Sequence, residues 1–444
     1  MAAASPILQY FLLSIITLNL IHMISISSAQ TSFRPSALLI PVTKDSSTNQ
    51  YITKLNQRTP LVPLNLVLDL GGKYLWLDCE TNYISSTYRH VPCNSAQCSL
   101  ARPLSCVTCT GPSPRPGCNK NTCTVIPDNT VTGFITSGEL AEDVLSVKSR
   151  NGSNPGRDVQ VNRFIFTCGH PNLLEGLAKG ASGIAGLGRN RVSLQAQFAA
   201  AFSFHRKFAI CLSSQTGVVF FGDAPFVSPQ GSLEISGSLS YTPLLLNPVS
   251  ASNGFQLNPE RPSPEYFIGV RSIRIDGETV PVNSSLLKID SKGNGGTKIS
   301  TVNPYTVLES SIFKAVTNAY VRAATARKIA RVEAVGEFEI CFKGSELSGT
   351  RIGPDVPRVT LVLQSEDVSW DIVGFNLIVK ANEETSCLGF LNGGLNSRTS
   401  IVIGGHQIED NLLQFDLASS RLGFSSTLLQ SRTNCAAFAQ GLAE

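Results

Sequence analysis

The sequence predicts an all-β protein of two β-rich lobes with few short helices. Three observations predict it. Short β-branched and aromatic runs recur along the chain between Gly and Pro residues, at 36–42, 64–69, 74–78, 163–168, 217–222, 266–275, 359–363, 401–404 and 413–416. That is how strands and turns alternate. Helical spacing is confined to 310–330, where Ile312, Phe313, Val316, Ala319, Tyr320 and Ala323 share one face, and to a shorter stretch at 194–201. The chain also repeats itself weakly. An apolar strand enters a turn at Val67-Leu-Asp-Leu-Gly-Gly72 and again at Thr297-Lys-Ile-Ser-Thr-Val302, and each is followed at similar distance by an apolar pair and glycine, Ile184-Ala-Gly186 and Val402-Ile-Gly404. Apolar pairs before Gly end many unrelated strands, so shared order and spacing carry the inference.

A chain of 444 residues is long for a single core. The doubling places the lobes at 30–238 and 239–444, joined near 236–241, with a cleft between them. Residues 1–29 contain no Lys, Arg, Asp or Glu, and the apolar run at 11–26 is broken only by Ser14, Thr17, Asn19, His22 and Ser25. It reads as a secretory signal, with Ser27 and Ala29 as the small residues before cleavage and Gln30 as the mature start. A membrane anchor is the rival reading, which the polar interruptions and the lack of a second long apolar stretch disfavour.

Twelve cysteines in an exported chain imply an oxidising compartment and about six disulfides. Seven of them, Cys79, Cys93, Cys98, Cys106, Cys109, Cys118 and Cys123, crowd an insert at 79–123. Cys106 and Cys109 form a CxxC pair, but no second pair follows at zinc-ribbon spacing and no histidine lies between Cys93 and Cys123, which favours disulfides over zinc. Asn151-Gly-Ser153 and Asn283-Ser-Ser285 are glycosylation acceptor motifs. The net charge of +4, from 36 basic and 32 acidic residues, suits anionic surroundings such as a pectin-rich wall and is far from a nucleic-acid footprint.

No GxSxG, HExxH or phosphate-cradling Gly-Lys-Ser/Thr motif is present, and nothing calls for a metal or cofactor. His22, His90, His170, His205 and His406 show no ligand spacing.

Val67-Leu-Asp-Leu-Gly-Gly72 followed by Leu75-Trp-Leu-Asp78 resembles the first active-site loop of pepsin-type aspartic proteases. Gly183-Ile-Ala-Gly-Leu-Gly188 and Ile401-Val-Ile-Gly-Gly405 resemble the segments that thread behind their two catalytic loops. The resemblance spans essentially the whole mature chain and implies a bilobal pepsin-like fold. Aspartic proteolysis needs two carboxylates sharing one proton. Asp69 can be one of them, but Ser300 stands where the second belongs and does not ionise near neutral pH. The hydroxyl residue expected after the first aspartate is Leu70, and the flap tyrosine is missing from Val125-Ile-Pro-Asp128, where Ile126 stands. The pattern implies relic positions at Asp69 and Ser300 and no catalytic residue.

Arg58-Thr-Pro-Leu-Val62, Ser137-Gly-Glu-Leu-Ala-Glu-Asp143, Arg206-Lys-Phe-Ala-Ile-Cys211, Lys298-Ile-Ser-Thr-Val-Asn-Pro-Tyr305 and Ser400-Ile-Val-Ile-Gly-Gly-His-Gln407 narrow the likeness. They resemble the plant extracellular dermal glycoprotein and xyloglucan-specific endoglucanase inhibitor group, with cereal xylanase inhibitors and basic 7S globulins as more distant cousins. That resemblance implies a secreted, monomeric apoplast or cell-wall protein of plant defence, whose partner is a microbial endoglucanase of family 12. Arg398, in the Gly393-Gly-Leu-Asn-Ser-Arg398 loop, is the preferred contact, with Arg322 as its companion and Arg327 close by. An arginine between the two carboxylates of a retaining glycosidase would form bidentate ion pairs, although exposed arginines commonly do no more than solvate a surface. The same resemblance implies Cys341 with Cys387, Cys211 with Cys435 and Cys79 with Cys168, the other six cysteines knotting a loop beside the cleft. An active aspartic endopeptidase and a globulin that binds peptide or wall polysaccharide are the alternatives.

Overall fold

Strand Ala37–Lys44 lies antiparallel to Thr216–Gly222, which pairs with Lys207–Cys211. Lys207–Cys211 pairs on its other edge with Leu412–Asp416, and the ladder continues through Arg421–Phe424 to Ser240–Leu245. One sheet thus draws strands from both halves of the sequence. Its spine is apolar because successive side chains alternate across the sheet: Phe208 stacks on Phe415 with ring centroids 4.8 Å apart, and Tyr266 meets the same ring at 4.7 Å. The computed structural model describes residues 33–439 apart from 112, 152–153, 224–235 and 251–261, and Ser36–Glu444 forms one compact unit. The segment read as a signal lies outside the described residues. Among those described, no helix is long and apolar enough to cross a membrane.

Each run read as a strand overlaps a strand of the structure. The segment 266–275 is two strands, Tyr266–Ile268 and Ser272–Ile275, because the first pairs with Thr297–Ile299 and the second with Val359–Val362 in a separate sheet. The helix expected over 310–330 is Ser310–Ala326. It starts where the Glu309 carboxylate accepts the amides of Ser311 and Ile312, and it ends where Lys328 turns left-handed at φ 62°. It buries Ile312, Phe313, Val316, Tyr320 and Ala324, its core-facing stripe, with about 1.5–3 kcal/mol for each large apolar side chain. The shorter helix is Leu194–Phe202.

The long hairpin Gly138–Asn151 with Asn154–Gly169 was legible only at 163–168. Its alternation is disguised because Asp143 is fully buried, where it accepts the Tyr83 hydroxyl at 2.8 Å and the Thr87 hydroxyl at 2.5 Å. All twelve cysteines are paired: Cys79–Cys168, Cys93–Cys106, Cys98–Cys123, Cys109–Cys118, Cys211–Cys435 and Cys341–Cys387. Three of these close the insert on itself, and Cys211–Cys435 ties the central ladder to the last helical turn.

The repeat seen in the sequence is a repeat of backbone packing. Ile184–Gly186 runs parallel to Val67–Asp69, and Ile401–Ile403 runs parallel to Thr297–Ile299. A Cβ on Gly186 would fall 2.4 Å from the carbonyl oxygen of Tyr74, and one on Gly404 would fall 2.3 Å from that of Tyr305. The two tyrosines stand at the same offset after Asp69 and Ser300. Gly404→Ala is expected to destabilise the fold by about 3 kcal/mol through overpacking, read as a drop in melting temperature. Gly237→Ala, where the new atom meets nothing within 4 Å, should leave it unchanged.

Candidate functional site

Asp69 closes the strand Val62–Asp69, whose last residues are buried, so the carboxylate emerges at the strand end in a protein-lined setting. Its Oδ1 accepts the Gly71 amide at 2.8 Å, its Oδ2 accepts the Thr130 hydroxyl at 2.7 Å, and its backbone carbonyl accepts the Leu187 amide at 2.8 Å. Burial pushes the carboxyl up to about 6, against the lowering effect of the Thr130 and Gly71 donors and with help from the nearby carboxylates Asp128 and Glu265. Glu265 is itself paired with Lys298 at 2.5 Å.

Ser300 occupies the matching position after Thr297–Ile299 and is 7% exposed. Its hydroxyl donates to Asn303 Oδ1 at 2.9 Å and accepts the Asn303 amide at 3.1 Å, so it is engaged within its own turn. The residue after it carries the hydroxyl that Leu70 lacks. The Thr301 hydroxyl accepts the Leu70 amide at 2.9 Å and donates to the Leu68 carbonyl at 2.7 Å, tying the two loops together. The reciprocal bond has no donor, because Leu70 carries no hydroxyl.

The segment over Asp69 also differs from the expected one. Val125 is buried at the end of strand Thr122–Val125, and Ile126 lines a cavity beside it. The hairpin that reaches Asp69 is the following stretch, where Asp128 bridges Ile135 and Thr130 supplies the hydroxyl. It contains no tyrosine either. The Trp76 indole holds its base through the Asp128 carbonyl at 3.0 Å, and Asn129 pins it to the carbonyls of Leu173 and Glu175. The spacing from Asp69 left this register open, since only the fold shows which turn returns over the carboxylate. Thr301 could have been found by aligning it with Leu70, whereas Thr130 left no signal in the sequence.

The arginine candidates are set apart. The Gly393–Arg398 loop is anchored by Gly393 N–H on the Leu308 carbonyl at 2.7 Å and by the Ser397 hydroxyl on the Gly393 carbonyl at 2.6 Å. It exposes Leu395 at 77%. The Arg398 guanidinium lies half-buried against the carbonyls of Val249 and Lys292 at 3.5 and 3.4 Å. Arg322 is exposed on helix Ser310–Ala326. The Gly394 carbonyl caps that helix at Ser310, so Arg322 stands about 18 Å further along the axis. Arg327 is occupied by Asp276 and Asp355 and stabilises the helix end. Asn283 is exposed, with its Oδ1 accepting both the amide and the hydroxyl of Ser285. Asn151 ends strand Gly138–Asn151, and residues 152–153 of its motif lie outside the described residues.

Two strand-loop units related by an internal repeat, each with a parallel strand behind its loop and a shared sheet beneath, make up the pepsin-like aspartic proteinase fold. The match to a crystal structure of an aspartic proteinase from Irpex lacteus, at 14% identity with a TM-score of 0.50 over 90% of this chain and 99% of that one, shows the same fold. Models of the xylanase inhibitor N-terminal and C-terminal regions match residues 51–223 and 265–426, and the chain belongs to this xylanase inhibitor family. It is 55% identical over 416 residues to a probable aspartic proteinase GIP2 of Nicotiana benthamiana, covering 93% of this chain and 94% of that one. It is 40% identical over 439 residues to gamma conglutin 1 of Prunus dulcis, covering 97% and 96%. The crystal structure of edgp superposes with a TM-score of 0.90 at 56% identity, over 92% of this chain and 99% of that one.

The raised Asp69 fixes a direction for pH dependence. The fold prefers its neutral form, so the contribution to stability is fully present below the ordinary value of 3.8 and is lost as pH rises toward 6. Asp69→Asn should therefore be more stable than the parent at pH 7.5 by about 1–2 kcal/mol, and the gain should vanish below about pH 4 in urea titrations. Thr301→Val withdraws the bond between the loops and leaves buried backbone groups unmatched. It should cost about 2 kcal/mol in the same assay.

Proposed function

We propose that this chain is a protease scaffold without proteolytic activity that inhibits microbial glycoside hydrolases, chiefly xyloglucan-specific endoglucanases of family 12. The observation that carries the first half is the occupancy of the two loops. Asp69 is held by Thr130 and Gly71, and Ser300 by Asn303, so no second carboxylate shares a proton with the first. A water between the loops would lack the paired base and acid that peptide hydrolysis requires.

The second half is supported by family membership and by the Gly393–Arg398 loop. That loop is held at both ends by backbone bonds while exposing an apolar tip, a preorganised arrangement that binds with little ordering cost. The bonds holding the Arg398 guanidinium are at the long limit, so exchanging them for a carboxylate in a substrate groove costs little. Arg322 is the companion contact in this reading, at a separation that an interface of about 800 Å² on each partner can span. Six disulfides suit an oxidising compartment, and secretion to the plant wall space, with glycans at Asn283 and Asn151, completes the reading.

Inhibition of a purified family 12 endoglucanase by the full chain tests it. Arg398→Ala and Leu395→Asp should each raise the inhibition constant about tenfold, near 1.4 kcal/mol, and Arg322→Ala should raise it less. No inhibition by the parent protein would overturn the inhibitor assignment. Pepstatin-sensitive casein cleavage at acid pH would overturn the inactive-protease assignment.

A further inference from the structure

Beside the Asp69 loop lies a cavity of about 630 Å³, whose lining includes Ser250, the neighbour of the Val249 that Arg398 touches, but neither Leu395 nor Arg398. Five cations line it, Lys73, Arg102, Arg189, Arg191 and Arg206, and among the described residues no carboxylate does. Lys73, Arg189, Arg191 and Arg206 form no ion pair with any described residue. A second cavity, about 910 Å³ in volume, is also rich in arginine, but there Arg327 is paired with Asp276 and Asp355, and Arg358 with Asp371. There the charges of Arg327 and Arg358 are spent within the fold, whereas those of Lys73, Arg189, Arg191 and Arg206 in the first cavity are not.

Two buried groups in the first cavity are unmatched. Arg189 Nε and Nη2 are buried without a hydrogen-bond partner, and the guanidinium lies 5.3 Å from the Tyr266 ring centroid. Gln195 is 5% exposed, and while its Nε2 donates to the Gly188 carbonyl and the Ser193 hydroxyl, its Oε1 has no partner. Buried polar atoms left unpaired are costly. These two ask for opposite things, the guanidinium for an anion and the amide oxygen for a hydrogen-bond donor. A bare anion satisfies only the first. A sugar acid satisfies both, with carboxylates for the cations and hydroxyls for Gln195. A peptide is less suited, because Pro103, Pro262 and Pro264 on the lining bring no backbone N–H to pair with a main chain.

We propose that this cavity binds a short oligouronide, a saccharide carrying a carboxylate on successive rings. Neither Leu395 nor Arg398 lines the cavity, so variants at those two residues should leave saccharide binding intact. Calorimetric titration of the full chain with trigalacturonate at low ionic strength tests it. Saturable binding should weaken about tenfold in Arg189→Gln and in Gln195→Leu, remain unchanged in Lys54→Gln on a distant strand, and fall as salt screens the cations. If Arg189→Gln lowers the melting temperature, Arg191→Gln, at an exposed position on the cavity rim, should show the same direction of effect. Absence of binding at millimolar trigalacturonate, equal binding of neutral cellotriose, tighter binding of an oligoglutamate, or affinity unaffected by the cavity variants would overturn the proposal.

Discussion

The antiparallel pairing of Lys207–Cys211 with Leu412–Asp416 is the contact on which the remainder of the architecture depends. Every other strand of the central ladder reaches its neighbour in the opposite half of the sequence through these two. Phe208 and Phe415 stack directly across the junction, and Tyr266 closes over them and donates its hydroxyl to the Leu187 carbonyl, the residue whose amide holds Asp69. The platform beneath the two loops and the placement of the first loop are thus one packed unit. Cys211–Cys435 fastens the same strand to the end of the chain.

On that platform the two loops have diverged while their supports have not. Gly186 and Gly404 still meet the same carbonyl at the same offset, because the close approach of two backbones leaves no room for a Cβ. Thr301 still reaches across to Leu68 and Leu70. What differs is confined to two side chains: Leu70 packs into the apolar core where a hydroxyl would bridge, and Ser300 turns into a local bond with Asn303. Such replacements leave the fold intact, so the scaffold can serve a role carried by loops around the cleft and by cavities in its wall, as proposed above.

The strand at 401–404 was readable because its residues are apolar throughout, as a strand buried on both faces must be, and that at 64–69 because Leu64, Leu66, Val67 and Leu68 are apolar and buried. The hairpin Gly138–Asn151 with Asn154–Gly169 was not, because Glu139, Glu142 and Asp143 are buried within it and break the apolar signal. The sequence favoured Arg398 over Arg327 only by its Gly/Asn/Ser-rich loop setting. The structure separates them, since Arg327 faces two aspartates supplied by other segments and Arg398 faces the backbone carbonyls of Val249 and Lys292.

The sequence by itself determined the β class, the internal doubling, the disulfide count and the positions of Asp69 and Ser300, because these depend on residue type, local periodicity and order along the chain. Only the tertiary structure decided which turn stands over Asp69, that Thr301 still joins the loops, and that five cations converge on one cavity without a carboxylate among the described residues. Each of these is a meeting of segments distant in sequence, set by strand register and backbone approach, and no local pattern encodes it.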